Sequence, residues 1–284
     1  MKKLLCLVVC AALALCLGVS CLAEDAAEIT AIKERGVLKV GVKSDVPGFG
    51  EQDILTGEFA GLEIDLAHKL AGEILGDESL VEFTAVTAST RGPLLETGEL
   101  DMVIATFTIK PDRILQYEFS KPYFIDAVGL LVKVDSGIES FADLDGKVVG
   151  VAVSATTRDV LDAAASEAGI TITMNDYPSY PELKIALDSD RIDCFSVDKA
   201  ILAGYVDDTC HILPDSFAAQ PYGVCVKKGN LGLLSLVDER IAAWRADGTL
   251  DALVEANGLP AVNWDEVDTY DVLWEEAAAL EKAK

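Results

Sequence analysis

Hydrophobic positions along this chain switch repeatedly between two periods. Short, nearly continuous apolar runs predict strands at Leu38–Val42, Val81–Val86, Met102–Ala105, Val148–Val153, Thr171–Met174, Ile192–Val197 and Cys210–Leu213. Stretches with helical spacing lie between them. They predict helices at Leu62–Leu75, around Pro93–Glu96, and at Arg158–Ala168, Pro181–Leu187 and Lys199–Tyr205. Strands alternating with helices of this length imply an α/β protein with parallel-type sheets and helices on both faces.

Two extended runs break that rhythm: Asp126–Val134 after Pro122, and Tyr222–Lys227 after Pro221. The chain between them is an α/β unit of its own, and two further helices are expected near Leu234–Ala246 and Leu250–Ala256. The pattern predicts two lobes. Residues 28–127 and 221–259 form the first, and 128–220 form an inserted second lobe. The two extended runs would be a hinge of two crossing strands, an arrangement suited to closing over a ligand. Residues 260–284 form an acidic, helix-prone extension with Trp264, Val267, Val272, Leu273 and Trp274 as apolar positions. It is expected either to pack back on a lobe or to end as a frayed tail.

The N-terminus changes the picture of where the chain works. Lys2 and Lys3 precede an uncharged run from Leu4 to Val19 that closes on Ser20, Cys21 and Ala23. A basic end, an apolar stretch too short to span a bilayer and small residues at its close describe a signal peptide over residues 1–21. Leu17-Gly-Val-Ser-Cys21 is similar to a lipobox, in which Cys21 becomes a lipidated terminus; cleavage after Ala23 is the alternative. The protein is thus expected outside the cytoplasm, lipid-anchored or free in the periplasm.

Loss of residues 1–20 removes two of 23 basic residues and none of 48 acidic ones, moving the formal charge from −25 to about −27. Such a chain is repelled by nucleic acid and by anionic lipid. Beyond the export segment only Cys194, Cys210 and Cys225 remain, in no metal-type spacing; one disulfide is compatible with them, without an assignment. His68 and His211 are the only histidines, so neither a zinc site nor a histidine-based triad is expected, and no cofactor is implied.

Ala105-Thr-Phe-Thr-Ile-Lys-Pro-Asp-Arg113, followed by Phe119-Ser-Lys-Pro-Tyr123, is the stretch richest in chemistry. A strand ends there in a loop with two hydroxyls, and Pro111-Asp112 begin a short helix carrying Arg113. Open α/β sheets bind ligands at the C-terminal ends of their strands. A guanidinium at that place matches a carboxylate in bidentate geometry.

Together with Gly36-Val-Leu-Lys-Val-Gly-Val42, Gly61-Leu-Glu-Ile-Asp-Leu-Ala67 and Leu144-Asp-Gly-Lys-Val-Val-Gly-Val151, this stretch resembles the polar amino-acid solute-binding proteins of ATP-driven importers, family 3. The likeness runs from about Ile32 to Leu259. It implies the type II, periplasmic-binding-protein-like fold, a monomer that is not an enzyme, a small amino-acid ligand and a membrane permease as partner. Gly41-Val-Lys-Ser-Asp-Val-Pro47, Thr90-Arg-Gly-Pro-Leu-Leu95 and Phe195-Ser-Val-Asp-Lys199 look most like the members that bind aspartate and glutamate.

By that resemblance Arg113 grips the ligand's α-carboxylate over Thr108 and the backbone at Thr106. Thr156 and Thr157 present a helix N-terminus, and Asp198 pairs with the α-ammonium. Lys43, Arg91 and the hydroxyl of Tyr177 read the side chain. Read alone, Arg113, Lys43 and Arg91 are solvated charges, Asp198 and the two threonines helix caps. Two cations besides Arg113 exceed what a neutral ligand balances, so an acidic amino acid, aspartate or glutamate, is the first expectation. The alternatives are a neutral polar amino acid such as glutamine or asparagine, or an exported dehydratase on the same fold, with Asp198 and Glu63 as its only candidate acids. The departure from the family pattern is Val46-Pro-Gly-Phe49, where many members carry an aromatic platform.

Overall fold

The computed structural model describes residues 26–283, leaving the expected signal peptide and Cys21 outside the described residues. Its first sheet is built from the N-terminal part of the chain. Helix α1 (Ala27–Arg35) leads into β1 (Leu38–Val42), a small antiparallel group of β2 (Asp45–Val46), β3 (Gly50–Gln52) and β4 (Phe59–Ala60), and helix α2 (Leu62–Leu75). Then follow β5 (Val81–Ala85), α3 (Arg91–Thr97), β6 (Met102–Ile104), α4 (Pro111–Ile114) and β7 (Tyr117–Phe119). The order is β5-β1-β6-β14-β7, with β1 parallel to both neighbours and β14 (Cys225–Lys227) antiparallel to β6 and β7.

The second sheet begins with the ten-residue β8 (Phe124–Lys133). It continues through β9 (Val148–Ala152), α5 (Thr157–Ala168), β10 (Thr173–Tyr177), α6 (Tyr180–Asp188), β11 (Cys194–Asp198), α7 (Lys199–Ala203), β12 (Cys210–Ile212) and β13 (Phe217–Tyr222). The order is β10-β9-β11-β8-β12, with β9 parallel to β10 and β11 and with β13 antiparallel along the start of β8. Helices α8 (Leu231–Ala246), α9 (Thr249–Ala256), α10 (Trp264–Val267) and α11 (Val272–Lys282) close the chain. This is the two-lobed, type II periplasmic-binding-protein architecture, mixed α/β with sheets flanked by helices.

The inner strands of both sheets are covered on two faces and apolar almost throughout, as in Met102–Ile104 and Val148–Ala152, whereas the edge strands β5 and β10 are partly exposed. Leu38, Val40 and Val42 of β1 are fully buried beneath Leu66, Leu70 and Ile74 of α2. Each such side chain contributes roughly 1.5–3 kcal/mol when removed from water. Gly61, the residue before α2, has φ +130°, and a Cβ there would stand 2.2 Å from the Phe49 carbonyl oxygen. Only glycine lets the chain enter α2 this close to the β2–β3 turn.

The second crossing strand lies earlier than the sequence suggests. It is Phe217–Tyr222, which includes Pro221 opposite Ile125, whereas the expected run Tyr222–Lys227 breaks after Tyr222 and resumes as β14 in the first sheet. Pro221 pairs with Ile125 of β8, and its carbonyl accepts from the Ile109 N–H at 2.8 Å, while Tyr222 bridges Thr108.

The C-terminal extension packs back on the first lobe. Ala277 is buried against the cluster containing Ile114, Phe107 and Phe119, with Leu273 and Trp274 beside it. Lys121 pairs with Asp271 and lies 5.2 Å from the Trp274 ring centre. Cys194, Cys210 and Cys225 are buried free thiols.

Candidate functional site

Strand ends from both lobes converge on a buried charged floor. Lys43, the residue after β1, is 2% exposed; its Nζ lies 2.9 Å from Asp45 Oδ1 and 4.5 Å from the ring centre of Tyr180 on the opposite lobe. Arg91 opens α3 and is 3% exposed. Its Nη1 donates to the carbonyls of Ala105 (2.5 Å) and Thr106 (3.1 Å), and its guanidinium stacks 3.8 Å over Phe107.

The loop after β6 is held from two directions. Thr106 adopts φ +44°, a left-handed conformation that costs a non-glycine residue energy, and its N–H donates to Glu63 Oε1 at 2.5 Å. Glu63, in the first turn of α2, is fully buried and also accepts from the Tyr123 hydroxyl. Burial pushes its carboxyl up to about 7, against the opposing pull of those two hydrogen bonds and of the Lys43 and Arg91 charges.

Arg113 is half-buried at the mouth, with Nη1 on the Thr108 carbonyl (2.8 Å) and Nη2 on the Ser154 carbonyl of the other lobe (3.2 Å). Burial, and then the neighbouring Arg91, lowers its pKa to about 9, a penalty on its charge that an arriving carboxylate relieves. A cavity of about 520 Å³ opens beside it, lined among others by Phe107, Ser154, Arg158 and Asp176.

From the second lobe, Asp198 ends β11 and is 5% exposed, accepting a 2.6 Å bond from the Tyr222 hydroxyl. Asp126 of β8 lies 3.5 Å from the same hydroxyl and accepts from the Ala200 N–H at 2.8 Å. Burial raises both acids, Asp198 to about 7 with Asp126 as its next cause, and Asp126 to about 6. Thr156 donates to Gln220 Oε1 on the hinge strand at 2.7 Å, while the buried Thr157 Oγ1 at the start of α5 has no partner.

The lobes are closed on one another. Tyr205 donates to the Asp45 carbonyl, Lys110 pairs with Asp159 at 3.0 Å, and a Cβ on Gly204 would lie 2.9 Å from the Pro47 ring. The structure therefore brings Lys43, Arg91, Thr106, Thr108, Arg113, Thr156, Thr157 and Asp198 to the facing strand and helix ends of the two lobes.

Tyr177 stands apart from that group. It ends the edge strand β10, half-buried against the apolar core, and Tyr180 is the tyrosine that reaches Lys43. A proline between the two turns the chain into α6, so the residue three positions on takes the inward place. Phe107, Tyr123, Tyr180 and Tyr222 line or brace the floor; Phe107 and Tyr123 lie within the motif stretch Ala105–Tyr123, whereas Tyr180 and Tyr222 carry no sequence signal beyond their aromatic character. Phe49 of the Val46–Phe49 loop is fully buried against Phe124 and Tyr222, and Phe107 and Tyr180 are the rings that stand beside Arg91 and Lys43.

The profile of the bacterial extracellular solute-binding proteins, family 3, matches residues 38–258. The chain belongs to that family. The glutamine-binding protein of Geobacillus stearothermophilus is 38% identical over 68% of this family-3 chain and 73% of its own length. The ABC transporter glutamine-binding protein GlnH of Bacillus subtilis (strain 168) is 34% identical over 79% of this chain and 82% of its own. Among solved structures, the ancestral amino acid-binding protein AncCDT-1, a precursor of cyclohexadienyl dehydratase, superposes with a TM-score of 0.71 at 31% identity, covering 81% of this chain and 99% of that one. The family is extracellular, in keeping with an extracytoplasmic solute receptor. Its match ends before the C-terminal extension.

Proposed function

We propose that this protein captures a free α-amino acid with a neutral polar side chain, glutamine foremost, by closure of its two lobes, and hands it to the membrane permease of an ABC importer. One observation carries the choice of side chain: the cations of the floor already have acids against them. Lys43 is paired with Asp45, and Glu63 exerts a favourable charge interaction on both Lys43 and Arg91. Asp198 does the same for Arg113. A zwitterion whose side chain is neutral leaves that balance undisturbed, whereas a second carboxylate adds an uncompensated buried charge. The glutamine-binding names of the two curated relatives point the same way.

Binding then proceeds from the residues' own chemistry. Arg113 meets the α-carboxylate, backed by Thr108 and by the free N–H groups at the start of α5, where Thr157 stands. Asp198 accepts from the α-ammonium. Arg91, Lys43 and the Tyr180 ring surround the side-chain end, and Phe107 and Tyr180 pack on its methylenes. Glu63, Asp126 and Asp198, the carboxylates of the floor with raised pKa, are engaged in these roles or in bracing the floor, so the binding reading accounts for them without a catalytic step.

Isothermal titration of refolded, ligand-stripped protein tests this. Glutamine is expected at micromolar affinity or tighter, with glutamate and aspartate weaker by roughly tenfold at slightly alkaline pH. Preference for the acids at that pH would return the assignment to an acidic amino acid. Silence from all four ligands, asparagine included, would remove the amino-acid reading altogether.

A further inference from the structure

The charge balance behind the proposed ligand depends on one carboxylate. Glu63 is fully buried, with Oε1 occupied by the Thr106 N–H and the Tyr123 hydroxyl, and with Oε2 lacking any hydrogen-bond partner. The groups facing it come from five elements: Lys43 from the end of β1, Arg91 from α3, the Thr106 N–H from the β6 loop, Tyr123 from the approach to β8, and Tyr180 from α6 of the other lobe. Asp45 of β2 stands behind Lys43 as its ion-pair partner. Two cations thus share two carboxylates, and Glu63 is the fully buried one, with an oxygen that makes no hydrogen bond.

We propose that Glu63 determines specificity: as a carboxylate it balances Arg91 and Lys43 so that the cleft accepts a neutral amide, and as the neutral acid it leaves a cation over, which a ligand carboxylate then satisfies. Burial holds this group near 7, so both forms are populated around neutrality. Lys43 is held below the usual lysine range by burial, and its charge would also fall as pH rises. The scheme rests on the amino-acid reading above. It makes the receptor's choice between an amide and its parent acid depend on pH, while the grip on the zwitterion stays common to both.

The ratio of glutamate to glutamine affinity isolates this effect, because contributions from Asp198 and Arg113 cancel between two ligands with the same α-carbon groups. Glutamate's side chain stays ionised from about pH 5.5 to about pH 8. Across that window the ratio in wild-type protein is expected to rise about tenfold as pH falls. Glu63→Gln protein should hold a high ratio that no longer varies with pH.

A flat wild-type ratio would overturn the proposal without any variant being needed. So would Glu63→Gln protein that weakens both ligands equally, which marks a purely structural role, or that keeps the wild-type slope, which marks Lys43. Glutamine binding with a flat ratio removes this inference alone, whereas wild-type protein silent to both ligands removes the amino-acid reading with it.

Discussion

Arg113→Ala is expected to weaken glutamine binding by on the order of 10²- to 10³-fold, since it deletes two charge-assisted hydrogen bonds and strands the ligand carboxylate in a buried cleft. The guanidinium is already aimed, held by carbonyls from both lobes, and its charge is disfavoured until an anion arrives. Arg113→Lys should recover only part of the loss, because an ammonium cannot reproduce the planar fork. Titration calorimetry on the three proteins measures this, with circular dichroism confirming an intact fold. Micromolar binding by the alanine variant would mean that the carboxylate docks elsewhere.

Affinity should also fall steeply with acidity. In the free protein Asp198 titrates at about 7, raised by burial and by Asp126. A bound ammonium favours its ionised form, so below that pH binding must expel a proton. Affinity for any amino acid is then expected to fall by up to tenfold per pH unit beneath about 7 and to level off above it. Calorimetry in buffers of different ionisation heat reads the released proton directly, and proton release of zero at pH 6 would exclude Asp198 as the ammonium's partner.

Fold stability runs in the opposite sense. Glu63, Asp126 and Asp198 have folded-state pKa values above the ordinary carboxylate range, at about 7, about 6 and about 7. Their favourable contribution is complete below about 4, where the unfolded groups are also protonated, and is lost as pH rises through 6 to 7. Ligand-free protein should therefore melt at a higher temperature near pH 5 than near pH 8, while the rise in melting temperature produced by glutamine grows over the same interval. Differential scanning calorimetry with and without ligand checks both signs.

Architecture was readable from the chain because the inner strands of both sheets are buried on two faces, so they appear as apolar runs between helices with clear periodicity. The course of β13 was not. Pro221 looks like a strand breaker, yet it pairs with Ile125 of β8 and its carbonyl accepts from the Ile109 N–H. At the site, Arg113 and Asp198 stand out in local motifs, and the structure places both where the two lobes face one another. The acids set against the buried cations do not stand out, because Glu63 stands on α2 between the buried residues Leu62 and Ile64, and sequence spacing does not tell a buried acid from a solvated one. Counting Lys43 and Arg91 as unopposed favours an acidic ligand; setting Asp45 and Glu63 against them is what supports the neutral ligand we propose. Tyr177 and Tyr180 show the same limit, since which of two nearby tyrosines turns inward depends on the bend at Pro178, which spacing does not reveal.

The three buried thiols have a practical consequence. Cys225 lies within the first sheet, on β14, and Cys194 and Cys210 within the second, on β11 and β12. Burial holds the Cys194 and Cys225 thiols well above the usual cysteine range, so neither reacts while its sheet is intact. Each lobe thereby carries its own chemical clock. Pulse alkylation followed by peptide mass analysis would time the opening of the two halves separately, with no label added, and a ligand gripped by both should draw the two clocks into step.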